Sequence, residues 1–457
     1  LSTTFPGKTL TGKVAEYVVS TGYDLLEAPV VEMAKDSFMD WLGSALAGSS
    51  QPAGMIMLGV AEELGGNPQA TLVPTGRKTS ATNAALVNGG ISHIVELDDV
   101  HKASILHPGA PVIPAALAAA ELVGAGGKDL LLAIVLGYDV AIRIGEAVTP
   151  AHYYYWHTTA TCGTFGAAAA AGKLLGLGEG AMVHALGSAG TQAAGLWEFL
   201  ADGAMSKHLH PGKSAMNGLL SALLARKGFT GASRILEGER GFFKATAAAY
   251  DEGKVTRDLG ERFKVMENCF KIHASCRHTH HAIDVVLELV GRNDLRFSQI
   301  ESIRVGTYQI ALNIAGNHQP GTVYAAKFSL PFCVSLAAKH QKAGLYQFTE
   351  EALHDPEIRG LMSRVELSVD PELEARYPDQ WPARVDIRTR DGKTYSAETA
   401  YPKGDPENPV SHAELQEKFR ELASPRLGVS RVAGLLDVME RLEYVADMTE
   451  VMRWLLT

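Results

Sequence analysis

Between His157 and Gly218 the chain reads HTTATCGTFGAAAAAGKLLGLGEGAMVHALGSAGTQAAGLWEFLADGAMSKHLHPGKSAMNG. Alanine is the strongest helix former, and small side chains let neighbouring helix axes lie close together. The stretch therefore predicts tightly packed helices, one Ala/Gly-rich bundle from His157 to about residue 226. It closes on a knot of Lys207, His208, His210 and Lys213. Such a knot at the end of apolar helices needs either solvent or a ligand, so a solvated turn and an anion-binding pocket both stand at this point.

Helical periodicity recurs before the bundle, at Val30, Val31, Ala34, Phe38, Trp41 and Ala45. Ser80 is placed to cap a helix that delivers Glu96, Asp98 and Asp99 to a loop. Pro108, Pro111 and Pro114 predict no regular helix there until about residue 113. Two further helices are expected on either side of the AGGK turn at 125–128. Near residue 265 the pattern changes. IESIRVGTY, SRVELSVD, ARVDIRTR and TYSAETA alternate and are rich in β-branched residues, and Asp391–Gly392 joins the last two as a hairpin. Helical patterns return after residue 405. The expected fold is mainly α: a large all-α domain from 1–265 and 405–457, with a smaller α+β lid domain at 266–404.

A chain of 457 residues exceeds one compact core. Its formal charge of −9 argues against nucleic acid, which calls for a basic face. Four cysteines are too few for a disulfide framework. The first residues lack the apolar core of a signal peptide, and the apolar stretches are short or interrupted by charge. The expectation is a cytoplasmic enzyme with no membrane partner.

Four constellations carry candidate chemistry. Glu96, Asp98, Asp99, His101 and His107 combine carboxylates with imidazoles on a Pro-rich loop, the ingredients of an acid/base site, a metal site, or helix caps and a pair with Arg143. No His-x3-His or Cys-x2-Cys spacing supports metal. His157 stands at a helix start, where free N–H groups disfavour protonation of an imidazole. Lys207 and His210 lie in the basic knot. The fourth run is CFKIHASCRHTHH from Cys269 to His281; it matches no structural-zinc template, and its Lys271 and Arg277 suit anion capture instead. GLGEG and GTFG follow no strand, so neither is a phosphate loop.

Taken in order, ELDDVHKASILHPG, WHTTATCGTFGAAAAAGKLLGL, MSKHLHPGKSAMNG, FKIHASCRHTH and AAKFSLPFCVSLA resemble the MmgE/PrpD family. That family includes 2-methylcitrate dehydratase, cis-aconitate decarboxylase and iminodisuccinate epimerase. The resemblance implies the split fold above, a homodimer, and no cofactor or iron–sulfur cluster. It also implies a catalytic frame of His107, His157, Lys207 and Lys271, with a lid tyrosine near Tyr308. Glu96 stands where the decarboxylase type has Asp, and Val100 where it has a threonine.

The implied chemistry is a carbanion or enediolate beside a carboxylate, stabilised by a cationic pocket and reached by a histidine-mediated proton transfer. His157 is then the acid/base and His107 protonates a leaving hydroxyl, with Asp98 positioning it. Lys207, Lys271 and Arg277 hold a small anionic di- or tricarboxylate, and Glu96, Asp99, His101, His210 and Tyr308 line the substrate. The expected activity is a hydro-lyase of the 2-methylcitrate dehydratase type. A cis-aconitate-type decarboxylase and an epimerase or isomerase are the enzymic alternatives; an inactive carboxylate-binding protein is the alternative outside catalysis.

Overall fold

The computed structural model describes residues 8–73, 75–201 and 203–456; the leader reading falls partly on residues 1–7, outside them. The chain is mainly α and divides into two compact units, Leu1–Cys269 with Ser411–Thr457, and Phe270–Val410.

The first unit is a helical bundle. Its main helices are α1 (Ala28–Gly48), α2 (Ala81–Ser92), α3 (Gly109–Val123), α4 (Gly127–Val148), α5 (Thr158–Leu174), α6 (Glu179–Gly190) and α7 (Ser206–Arg226). The alanine run of α5 is buried throughout, and this helix packs against α3, α4, α6 and α7. The helix His412–Leu427 returns from the far end of the sequence to cover α1. Small residues set the spacing. A Cβ on Gly89 of α2 would lie 2.9 Å from Gly212 Cα of α7, so these two helices meet backbone to backbone. That contact brings the start of α7 beside the end of α2, where the candidate site lies.

Two local expectations are revised. α3 begins at Gly109, not after residue 113. Pro111 falls in the first turn, where a helix has no use for an N–H, and Pro114 sits inside the helix. The basic knot is no solvated loop either. Lys207, His208 and His210 occupy the first two turns of α7 and are 4 %, 6 % and 9 % exposed.

The second unit holds a four-stranded sheet of β1 (Ile300–Thr307), β2 (Val365–Val369), β3 (Ala383–Thr389) and β4 (Thr394–Thr399), in the order β2-β1-β3-β4. β1 pairs parallel with β2 and antiparallel with β3, and β3 pairs antiparallel with β4. Ala383, Val385, Ile387 and Thr389 face inward in alternation. Gly392 (φ +85°) takes the left-handed position of the β3–β4 turn. The helix α8 (Arg277–Arg292) packs on β3 and β4 and against α9 (Leu330–His340).

Candidate active site

α2 stops at Ser92 and His93 forms its C-cap. The following loop bends sharply at Glu96 (φ +60°) and Ile105 (φ +47°), left-handed positions uncommon for residues other than glycine. Four ties hold it there. Val100 pairs with Cys269 through two 2.9 Å backbone bonds, and His101 N donates to Leu106 O at 2.8 Å. Thr158 Oγ1 donates to Ile105 O, and His107 N donates to Thr159 Oγ1 at 3.1 Å. The loop is thereby fastened to the first turn of α5, which carries His157 at its N-cap.

Asp98 is the centre of the arrangement. One of its oxygens, Oδ2, lies 2.7 Å from His93 Nδ1 and 3.1 Å from His107 Nδ1. Burial alone would raise its pKa, but the two imidazoles outweigh that and hold it well below the usual carboxylate range. An ionised Asp98 draws a ring proton of His93 to Nδ1 and leaves its Nε2 as a lone pair, while His107 Nδ1 faces the same oxygen without completing a hydrogen bond. His93 Nε2 is buried without a hydrogen-bond partner. The His93 ring contacts His107 edge-on at 4.7 Å and stacks on His157 at 5.7 Å.

His157 and His210 form a second pair, Nδ1 to Nδ1 at 3.0 Å, in which one ring donates and the other accepts. Trp197 lies 4.7 Å from the His157 ring, and Phe199 5.6 Å from that of His210. Burial, reinforced by His93 and the neighbouring cations, pushes His157 well below the ordinary imidazole value and His210 down to about 4. His93 is lowered for the same reason, and His208 falls to about 3. Lys207 Nζ donates to Glu96 Oε1, both buried. The residues of the first unit thus contribute neutral proton acceptors and a matched Lys–Glu pair, in place of the expected knot of positive charge.

The other predicted residues have the following surroundings. Asp99 accepts from Tyr138 OH (2.6 Å), Asn268 Nδ2 (2.8 Å) and Gly109 N (3.0 Å), which makes it a strut of the loop. Arg143 pairs with Asp139, not with Asp98 or Asp99. His101 turns towards Ser104 and Glu267. In the second unit, Arg277 pairs with Asp405, donates to Lys403 O at 3.2 Å and meets His280 Nδ1 at 3.0 Å. Tyr308 is buried, with its hydroxyl 2.8 Å from His278 Nδ1 and its ring stacked on Tyr377. Lys271 is buried at 1 % exposure.

Two sets of three donor groups come within metal-ligand reach among the described residues: His93, Asp98 and His107, and His101, Glu146 and Glu267. The first fits a cation only if His93 gives up its Nδ1 proton, and so competes with the hydrogen bond from His93 to Asp98. The second fits poorly. Ser104 N donates to His101 Nδ1 at 3.3 Å, which puts the ring proton on Nε2, and Lys264 already lies 3.0 and 2.9 Å from the two carboxylates.

Two contributors escaped the sequence reading. His93 was hidden because the helix was expected to run on to residue 99; its spacing of five from Asp98 was the available signal. Lys418, from the C-terminal helix, donates to Leu97 O at 2.6 Å and Asp40 Oδ1 at 2.5 Å, a contact 321 residues apart with no local signature.

Comparison with known proteins adds the family context. Residues 12–252 match the MmgE/PrpD N-terminal domain and residues 273–444 the MmgE/PrpD C-terminal domain. The cis-aconitate decarboxylase-like protein oryM of Aspergillus oryzae is 28% identical, over 98% of this chain and 97% of its own length. Cis-aconitate decarboxylase of Aspergillus terreus is 27% identical over 98% and 96%. The Homo sapiens cis-aconitate decarboxylase is 26% identical over 92% and 88%.

Proposed function

The chain belongs to the MmgE/PrpD family, and from that premise we propose a lyase that acts on a small di- or tricarboxylate through a carbanion beside a carboxylate. The observation that carries this reading is the pair of histidine centres, His93 and His107 against Asp98 and His157 on His210. An imidazole held neutral at working pH can accept a proton from carbon and return it.

Dehydration uses both centres. His157 takes the proton next to the carboxylate, the electron pair forms the carbon–carbon double bond, and the hydroxyl leaves as water with a proton from His107 Nε2, a ring that enters the step carrying a proton on both nitrogens. Asp98 is a positioning residue whose charge faces His93 and His107. Lys207 is assigned to a substrate carboxylate, and such a cation stabilises charge as it develops. Glu96 and Val100, which depart from the decarboxylase-type pattern, favour this reading.

Decarboxylation is the second reading, supported by the near full-length similarity to proteins named cis-aconitate decarboxylase. There the C–C bond to a carboxylate breaks, carbon dioxide leaves, and one histidine protonates the remaining carbanion. Incubation in D2O with citrate, 2-methylcitrate and cis-aconitate, followed by NMR, tests both. Enzyme-dependent deuterium at the carbon beside a carboxylate is expected, and the product names the reaction. Unlabelled, unconverted acids across the panel would end the proposal.

A further inference from the structure

A cavity of about 300 Å³ opens in the first unit on the side of the loop where Ala103 lies. Arg143, Lys254, Arg257, Arg262 and Lys264 line it, against the carboxylates of Glu146, Asp258 and Glu267. Five cations to three anions is a local excess of positive charge in a chain whose formal charge is −9. Pairing leaves three of the cations available. Lys264 bridges Glu146 and Glu267, and Arg143 is occupied by Asp139 and by the carbonyls of Arg257, Asp258 and Arg262. Lys254 Nζ meets only the Glu146 carbonyl, at 3.2 Å. Arg257 stands 3.9 Å from the exposed Asp251, and the Arg262 guanidinium has no ion pair among the described residues. Arg143 pins the backbone that carries Arg257 and Arg262, so both side chains spring from a fixed rim.

We propose that this cavity is a binding site for a small multivalent oxyanion, of the phosphate or polycarboxylate class, separate from the histidine site. Converging guanidinium and ammonium groups are the chemistry that recognises such anions. The cavity also touches the site loop. His101 Nε2 lies 3.4 Å from Glu267 Oε2, and the next residue, Asn268, donates to Asp99. An anion that draws Lys264 away from Glu267 acts on the loop that carries Asp98 and His107.

Isothermal titration of the whole chain with inorganic phosphate, and separately with citrate, tests this. The double variant Arg257→Glu/Arg262→Glu is the control; neither residue belongs to the histidine site, and both side chains are exposed. The expected result is saturable binding of at least one anion that weakens at least about tenfold in the variant, a loss of about 1.4 kcal/mol, and that also weakens with added sodium chloride. Whichever anion responds identifies the source, and an unchanged thermal midpoint shows that the variant is folded. No saturable heat with either anion, or equal affinity in wild type and variant, would overturn the proposal. A citrate signal that survives in the variant belongs to the histidine site and counts against this one.

Discussion

Each unit carries a knot of buried histidines, and the two knots differ in what their ring nitrogens meet. In the second unit His280 is bonded at both nitrogens, by Arg277 and by Ser275 O. His278 meets Tyr308 and stacks on Trp381 at 4.4 Å, His273 meets Asp284 and His281 meets Thr307. These are rings used as polar packing. In the first unit, one carboxylate lies against the Nδ1 atoms of two rings, and His93 Nε2 is buried without a partner. Burial lowers histidines in both units, with His278 and His281 pushed down to about 3 and His157 well below its ordinary value. Neutrality therefore does not mark a catalytic histidine. An unoccupied ring nitrogen does not mark one either, since His281 Nδ1 in the second unit is also buried without a partner; the mark is one carboxylate set against two rings.

The largest test of that contrast is His157→Gln. Turnover on the substrate identified by deuterium exchange is expected to fall about 10³-fold, the range of a lost general acid–base group, with the thermal midpoint nearly unchanged. Asp98→Asn follows. It removes the charge that sets the His93 tautomer and faces His107, and a loss of about 10²–10³-fold in kcat with little change in KM is expected. His278→Gln in the second unit makes the opposite demand. It should lower stability by about 1–3 kcal/mol, because it disturbs a buried hydrogen bond, while turnover per folded molecule stays within a few-fold. A denaturant titration run beside the kinetics separates the two; a large kinetic defect with normal stability would collapse the distinction between the knots.

The smallest effect is in pH. His210 is pushed down to about 4 by burial, below its ordinary value. The unfolded chain therefore binds more protons than the folded one as pH falls from about 6.5 towards 4. Stability from this group is complete above that window and declines through it, and His210→Gln should flatten the slope of thermal midpoint against pH. An unchanged slope would mean that His210 is protonated in the folded state.

Much of the fold was legible because its cues are local. The alanine run of α5, the cap at Ser80 and the alternation of β3 each act within one element, and each element formed. The site was legible in part. His107, His157, Lys207 and Asp98 carry family motifs, so their types and spacing were informative. Their charge state was not, because Glu96 meets Lys207 across 111 residues and His210 meets His157 across 53. Sequence alone suggested a cationic knot where burial and pairing produce neutral bases. Asp99 shows the same gap, since nothing nearby in the chain announces that Tyr138 and Asn268 will occupy it.

The central claim is that Asp98 sets His93 with the proton on Nδ1 and a bare Nε2. ¹⁵N NMR of imidazole-labelled protein at pH 7 reads this directly, with His93→Gln and His107→Gln assigning the signals among the 16 histidines. A neutral Nδ1–H ring for His93 that loses that preference in Asp98→Asn is predicted. Finding His93 protonated at Nε2, or doubly protonated, would contradict the account, because its Nε2 would then carry a proton in place of a lone pair.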